Sequence, residues 1–228
     1  MAEQPGLSEL EPILDEAAQF SPLSQQAYER IRESIVTLRL APGALINEAT
    51  LIDELGLGRT PIREALQRLA SEGLIVMRPR RGASVASLNI TDLQQIFELR
   101  RTLEGYAAGL AAERATPTDL ERMHTVLAAL EQIGPDADAE AHMAIDRAFH
   151  RALARAAHNP FLEATLARMY TLSLRLWYLA LARIGPMRES IEDLRAVVDA
   201  VARRDSAQAE AALRAHITAF QQRIRDIL

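Results

Sequence analysis

The 228-residue sequence predicts a mainly α fold in two parts, a small helical head carrying one hairpin and an all-α bundle behind it. Three observations predict this. Apolar residues recur at helical spacing over most of the chain. Between Leu74 and Ala86 that spacing gives way to two short apolar runs around the turn Arg78-Pro79-Arg80-Arg81-Gly82. After Thr91 only helical period remains, cut by glycine and proline into six segments.

The elements follow in order. Residues 1–22 end in Ser21-Pro22, show only a brief apolar stretch, and read as a mobile or loosely docked arm. A first helix from about Ser24 places Ala27, Ile31, Ile35 and Leu38 on one face and stops at Ala41-Pro42-Gly43. A second runs from about Glu48 to Leu55, and Gly56-Leu57-Gly58 makes the turn after it. A third is expected to open with Thr60 as N-cap and Pro61 at the first helical position, with Ile62, Leu66 and Leu69 inward. Strands at 74–77 and 83–86 complete the layout of a winged helix-turn-helix. The six later segments are expected at about 91–115, 118–133, 137–157, 160–184, 188–204 and 206–227, with Thr91, Thr118 and Asn159 as N-caps. The expected domains are therefore an arm at 1–22, a winged helix-turn-helix domain at 23–87 and a six-helix bundle at 88–228.

Composition narrows the function. Hydrophobic residues make up 49% of the chain, enough to build packed cores. With no cysteine, disulfides, thiolate metal sites and cysteine nucleophiles are excluded. No apolar run approaches a membrane span, and residues 1–20 lack a basic and then apolar leader, so a cytoplasmic protein without a membrane partner is expected. The formal net charge is −5, and all 26 basic residues are arginine. Yet residues 56–86 hold six arginines against Glu64 and Glu72. A helix N-terminus is positively polarised and exposes free N–H groups. Arg59 and Arg63 flank such a terminus, and in a helix-turn-helix that end enters the major groove, where guanidinium forks match guanine edges and phosphates. Arg78, Arg80 and Arg81 sit at the hairpin tip, within reach of phosphates or an adjacent minor groove, and Gly82 lets backbone approach closely.

The run GRTPIREALQRLASEGLI, followed by RPRRGASV, resembles the N-terminal signature of GntR-superfamily transcriptional regulators. Ala41-Pro42-Gly43-Ala44 and Asn47-Glu48 fit that pattern as well. The segment opening at Asp92-Leu93, with Glu98-Leu99-Arg100-Arg101 and Leu103-Glu104, resembles the FCD effector domain of the FadR-type branch in its VanR-like layout. The resemblance implies double-stranded operator DNA as partner, with contacts at Arg59, Thr60, Pro61, Arg63 and the wing around Arg81-Gly82. Gly58 stands where many members have serine. A homodimer is expected, because two recognition helices can read a near-palindrome.

One polar constellation marks the bundle. Asp146 and His150 lie at i and i+4 on one helix face, and carboxylate with imidazole suits a divalent metal. His216 lies in the last segment. The resemblance implies a site of one aspartate and three histidines; Asp146, His150 and His216 match, and the fourth position holds Leu194. Zinc or nickel completed by water or an effector carboxylate is one expectation, and a metal-free polar pocket is the other. His142, one turn before Asp146, is expected at the surface. Arg100 points inward by the resemblance; it pairs either with a small organic acid effector or with Glu104. Arg175, Tyr170 and Tyr178 could shape the pocket, and Trp177 is expected to be packing. A metal-dependent enzyme using Asp146, His150 and His216 is the alternative. It leaves the arginine-rich head unexplained and lacks a nucleophile motif or phosphate loop. A purely architectural DNA-binding protein leaves the bundle's polar cluster unexplained. A ligand-responsive regulator accounts for both.

Overall fold

The computed structural model describes residues 21–78, 82–133, 139–180 and 188–227. Residues 1–20 of the expected arm lie outside them, and Ser21 and Pro22, expected in that arm, instead cap and open the first helix. The head begins with α1 (Pro22–Val36), capped by the Ser21 hydroxyl, which accepts from the Ser24 N–H at 3.2 Å. Pro22 opens this helix because the first-turn N–H it lacks has no intrahelical partner anyway. Strand β1 (Leu45–Ile46) follows, then α2 (Glu48–Leu55) and α3 (Arg59–Ser71). Asn47 caps α2 through its side-chain oxygen, 2.9 Å from the Ala49 nitrogen, and Gly56 ends it at φ 66°, a left-handed conformation that glycine adopts without strain. Strands β2 (Ile75–Arg78) and β3 (Gly82–Val85) pair antiparallel, Arg78 opposite Gly82 and Ile75 opposite Val85. β1 adds to the other edge of β3, giving the order β1-β3-β2. The two-residue β1 is an addition to the expected hairpin. Ile31, Ile35, Leu51, Ile62, Leu66, Leu69, Leu74, Ile75 and Val85 form one core between the helices and this sheet.

Six further helices are described: α4 (Ile90–Arg114), α5 (Pro117–Ile133), α6 (Ala139–Ala156), α7 (Pro160–Ala180), α8 (Arg188–Ala202) and α9 (Ser206–Ile227). Their caps differ from two of the expected ones. Asn89, not Thr91, accepts from the first turn of α4, at 2.7 Å from the Asp92 nitrogen. Thr116, not Thr118, caps α5 in a reciprocal box: Thr116 N–H donates to Asp119 Oδ2 at 2.9 Å, and Asp119 N–H donates back to Thr116 Oγ1 at 3.2 Å. Each helix starts one residue before its expected cap, and in α5 this is because Pro117 is itself suited to a first helical position. Asn159 caps α7 as expected, accepting from Leu162 N–H at 3.1 Å. Gly105 lets α9 lie close to α4; a Cβ there would sit 2.6 Å from Arg214 Nε.

The described residues fall into two compact units. One contains Leu93–Tyr170 and Ala180–Leu228; the other contains residues up to Asp92 together with Thr171–Leu179. The middle of α7 therefore groups with the head, where Leu172 packs on the head core and Arg175 Nη2 donates to the Ala86 carbonyl at 2.5 Å. Among the described residues no helix is long and apolar enough to cross a membrane.

Candidate functional site

The head's exposed chemistry gathers at the start of α3. Gly58, in extended conformation (φ −70°, ψ 167°), is the N-cap, and no side chain caps the first turn. This corrects the expected Thr60 cap. The helix starts at Arg59, and Pro61, now its third residue, still sacrifices no hydrogen bond, because the first N–H groups of a helix have no partner within it. The N-terminal amides are left uncapped by side chains, as an anion-binding helix end requires. Arg59, Thr60 and Arg63 are exposed and Pro61 is half-buried. Arg63 Nε lies 2.9 Å from Glu48 Oε2, a solvent-facing pair that competes weakly with a phosphate or base edge. Arg68 has another role. It donates to Gln25 Oε1 at 2.9 Å, pairs with Glu72 at 3.3 Å and stacks on the Tyr28 ring at 3.7 Å, so its charge is used inside the head. Glu64, which faces the same way, accepts from the Ser24 hydroxyl. Arg78 is exposed at the end of β2, and Gly82 holds φ 78° opposite it. Arg80 and Arg81 lie outside the described residues.

The bundle brings a second set together in its interior. Asp146 and His150 on α6 and His216 on α9 each offer a ligand atom, and these atoms lie within 4.8 Å of one another. His150 Nε2 is 3.6 Å and His216 Nε2 3.7 Å from the Asp146 carboxylate. The far nitrogens of both rings meet carboxylates. Glu104 contacts His150 Nδ1, and Asp193 on α8 lies 3.5 Å from His216 Nδ1. A carboxylate thus stands beside each outer nitrogen, the side from which metal-ligating histidines are commonly held, although neither contact has hydrogen-bond geometry. The residues therefore fit a divalent cation. Tyr170 on α7 donates to Asp146 Oδ2 at 2.6 Å. Burial, and then the Asp146 charge, push the Tyr170 phenol well above its ordinary value, which keeps it a donor.

Glu104 ties this set to Arg100, whose Nε donates to it at 2.5 Å. The guanidinium also lies 4.7 Å from the Tyr170 ring centroid. Burial alone would raise the Glu104 carboxyl; Arg100 and His150 outweigh it and hold the group well below the ordinary carboxylate range. Burial pulls Arg100 down, and Glu104 more than restores it. Of the two partners expected for Arg100, the internal one is present. That Glu104 also reaches His150, 46 positions along the chain, carries no periodic signal in the sequence; only the fold discloses it.

Three other expectations meet the structure differently. His142 is buried, at 2% exposure, and not a surface residue. It lies four residues before Asp146 and eight before His150, so the face that buries them buries it. Its Nε2 has no hydrogen-bond partner among the described residues. Leu194 on α8 is fully buried next to Asp193. Arg175 and Tyr178 group with the head unit, apart from the cluster around Asp146. Burial lowers the Arg175 guanidinium to about 10, and its Nε is unpartnered among the described residues. Trp177 is fully buried and packs edge-on against Tyr178, at 4.9 Å between centroids.

Comparison with known proteins matches both parts. Residues 23–85 match the model of bacterial regulatory proteins of the gntR family, and residues 95–219 match the FCD domain. The chain is 30% identical over 198 residues to the probable D-xylose utilization operon transcriptional repressor of Paenarthrobacter nicotinovorans, covering 87% of each. It is 30% identical to the transcriptional regulator LutR of Bacillus subtilis, over 78% of this chain and 90% of that one. The solved structure of McbR/YncC from E. coli superposes with a TM-score of 0.80 at 25% identity, over 91% of this chain and 99% of that one.

Proposed function

This chain belongs to the gntR family of bacterial regulatory proteins and carries an FCD domain, and from that premise we propose how it regulates. It is a transcriptional regulator, and its relatives are regulators and not enzymes. The reading has α3 enter the major groove of operator DNA by its N-terminus, with Arg59 and Arg63 forward and the wing at Arg78 to Gly82 on the backbone. The observation that carries it is the exposed, side-chain-uncapped start of α3, with Arg59 as its first residue and Arg63 one turn on. The chain works as a homodimer, so that two such helices address the halves of a near-palindrome.

The bundle is the sensor in this proposal. Asp146, His150 and His216 hold a divalent metal such as zinc or nickel, which supplies a Lewis-acidic attachment point. Leu194 brings no fourth ligand, so a small carboxylate effector completes the set. Arg100, already matched by Glu104, positions His150 through that carboxylate. An effector can change DNA affinity only by as much as it prefers one of two arrangements of the protein. Support comes from the carboxylates beside the histidines, buried Glu104 at His150 and half-buried Asp193 at His216. The test is fluorescence anisotropy on a selected duplex at fixed salt, with zinc and a panel of small carboxylates added singly and together. The proposal expects a joint effect of metal and acid on DNA affinity. An unchanged affinity in every combination would overturn the sensor role.

A further inference from the structure

The three polar residues that α6 buries are His142, Asp146 and His150, spaced four apart. Four residues of helix rise about 6 Å, and residues so spaced share one face. Asp146 accepts from Tyr170, and His150 lies between the Asp146 and Glu104 carboxylates. His142 stands one turn beyond, 2% exposed, with Nε2 unpartnered among the described residues. Leaving a polar atom buried and unmatched costs stability, and a phenyl ring would fill similar volume without that cost. A buried, unmatched imidazole on the same face as a ligand cluster is a hydrogen-bonding group held in reserve.

We propose that His142 is a specificity-determining contact of the bundle site, donating from Nε2 to a second polar group of the effector, about 6 Å along α6 from the end bound at Asp146, His150 and His216. This rests on the reading of that cluster as the effector site. It deepens the reading by naming the ligand class: a short organic acid with an oxygen-bearing group at each end, such as a linear dicarboxylate. A monocarboxylate of equal length reaches the cluster but leaves His142 unmatched. The near end of such a molecule belongs to the cluster of Asp146, His150 and His216, and His142 serves the far end.

Calorimetry on the full-length protein with zinc, using succinate, glutarate and adipate against butyrate, pentanoate and hexanoate, tests it. Wild type should bind at least one diacid about tenfold or more tightly than its monoacid counterpart. His142→Phe should lose that preference while still binding the monoacid, with a melting temperature no lower than wild type. His142→Gln, which keeps a donor, should retain part of the preference. Equal diacid preference in wild type and His142→Phe would overturn the inference, and so would the absence of any preference in wild type. A parallel titration with zinc alone, in wild type and Asp146→Ala, separates the two levels. Zinc bound by wild type and lost in Asp146→Ala, with no acid discriminated, removes only the role of His142. No zinc bound by wild type removes the cluster reading together with it.

Discussion

At the scale of single residues, the buried ion pair of Arg100 and Glu104 is the most consequential contact in the bundle, because it also holds His150. Glu104→Gln leaves a buried guanidinium without its counter-charge, and should destabilise the fold by about 3–5 kcal/mol in denaturant titration at neutral pH. The pH dependence has a definite sign. The Glu104 carboxyl is depressed in the folded state. Its stabilisation is therefore complete above the unfolded value of about 4.3 and is lost as pH falls through the lower folded one. Glu104→Gln should flatten this part of the acid-unfolding curve. Leu194 supplies a second residue-scale prediction. Leu194→His should strengthen zinc binding on metal-stripped protein, since each correctly placed imidazole adds a bond. Calorimetry that finds identical affinity in both proteins would show that position 194 does not face the cluster.

Single residues also show what the sequence could reveal. Asp146 and His150 are legible because i and i+4 on a helix must meet. By the same rule His142 belongs on the buried face, and placing it at the surface gave its polarity more weight than its spacing. Arg68 was the reverse case. It reads as part of a basic surface, yet Tyr28, Gln25 and Glu72 draw it inward, and the first two of these lie on another helix, forty or more residues back.

At the scale of elements, helix ends decide most of the local structure. The nine helices among the described residues could be located from periodicity, with the starts of α3, α4 and α5 displaced by one or two residues. At α3 and α5 the shift has one cause: proline is accepted anywhere in a first turn, so Pro61 and Pro117 mark a helix start without fixing which residue caps it. β1 was not legible. Two residues carry no alternation, and Leu45 and Ile46 become a strand only because β3 offers an open edge. The capping box of α5 yields a prediction here. Thr116→Ala removes one acceptor and should cost about 1 kcal/mol, read as a lowered midpoint in thermal or denaturant unfolding. Asp119 also meets the His158 ring at 2.8 Å, so Asp119→Ala should cost more than Thr116→Ala. Equal losses would mean that the histidine contributes nothing to the joint between α5 and α6.

At the scale of the whole molecule, α7 contributes residues to both units, and in the proposed reading one unit serves DNA and the other the ligand. The proposed dimer draws on folded surface and not on the arm, whose sequence lacks a sustained apolar face. Light scattering of a chain lacking residues 1–22 should therefore still report a dimer at micromolar concentration; a monomer would place the subunit contact in the arm. The central claim is that this regulator reads DNA sequence through the start of α3. The most direct test selects duplexes from a random pool with wild type and with Arg63→Ala at one fixed salt concentration. Wild type should enrich a near-palindromic sequence. Arg63→Ala should bind it about 1–3 kcal/mol more weakly and lose discrimination at one base position in each half-site, with other positions still read. Enrichment of the same sequence with the same affinity by both proteins, or no enrichment by either, would contradict the account.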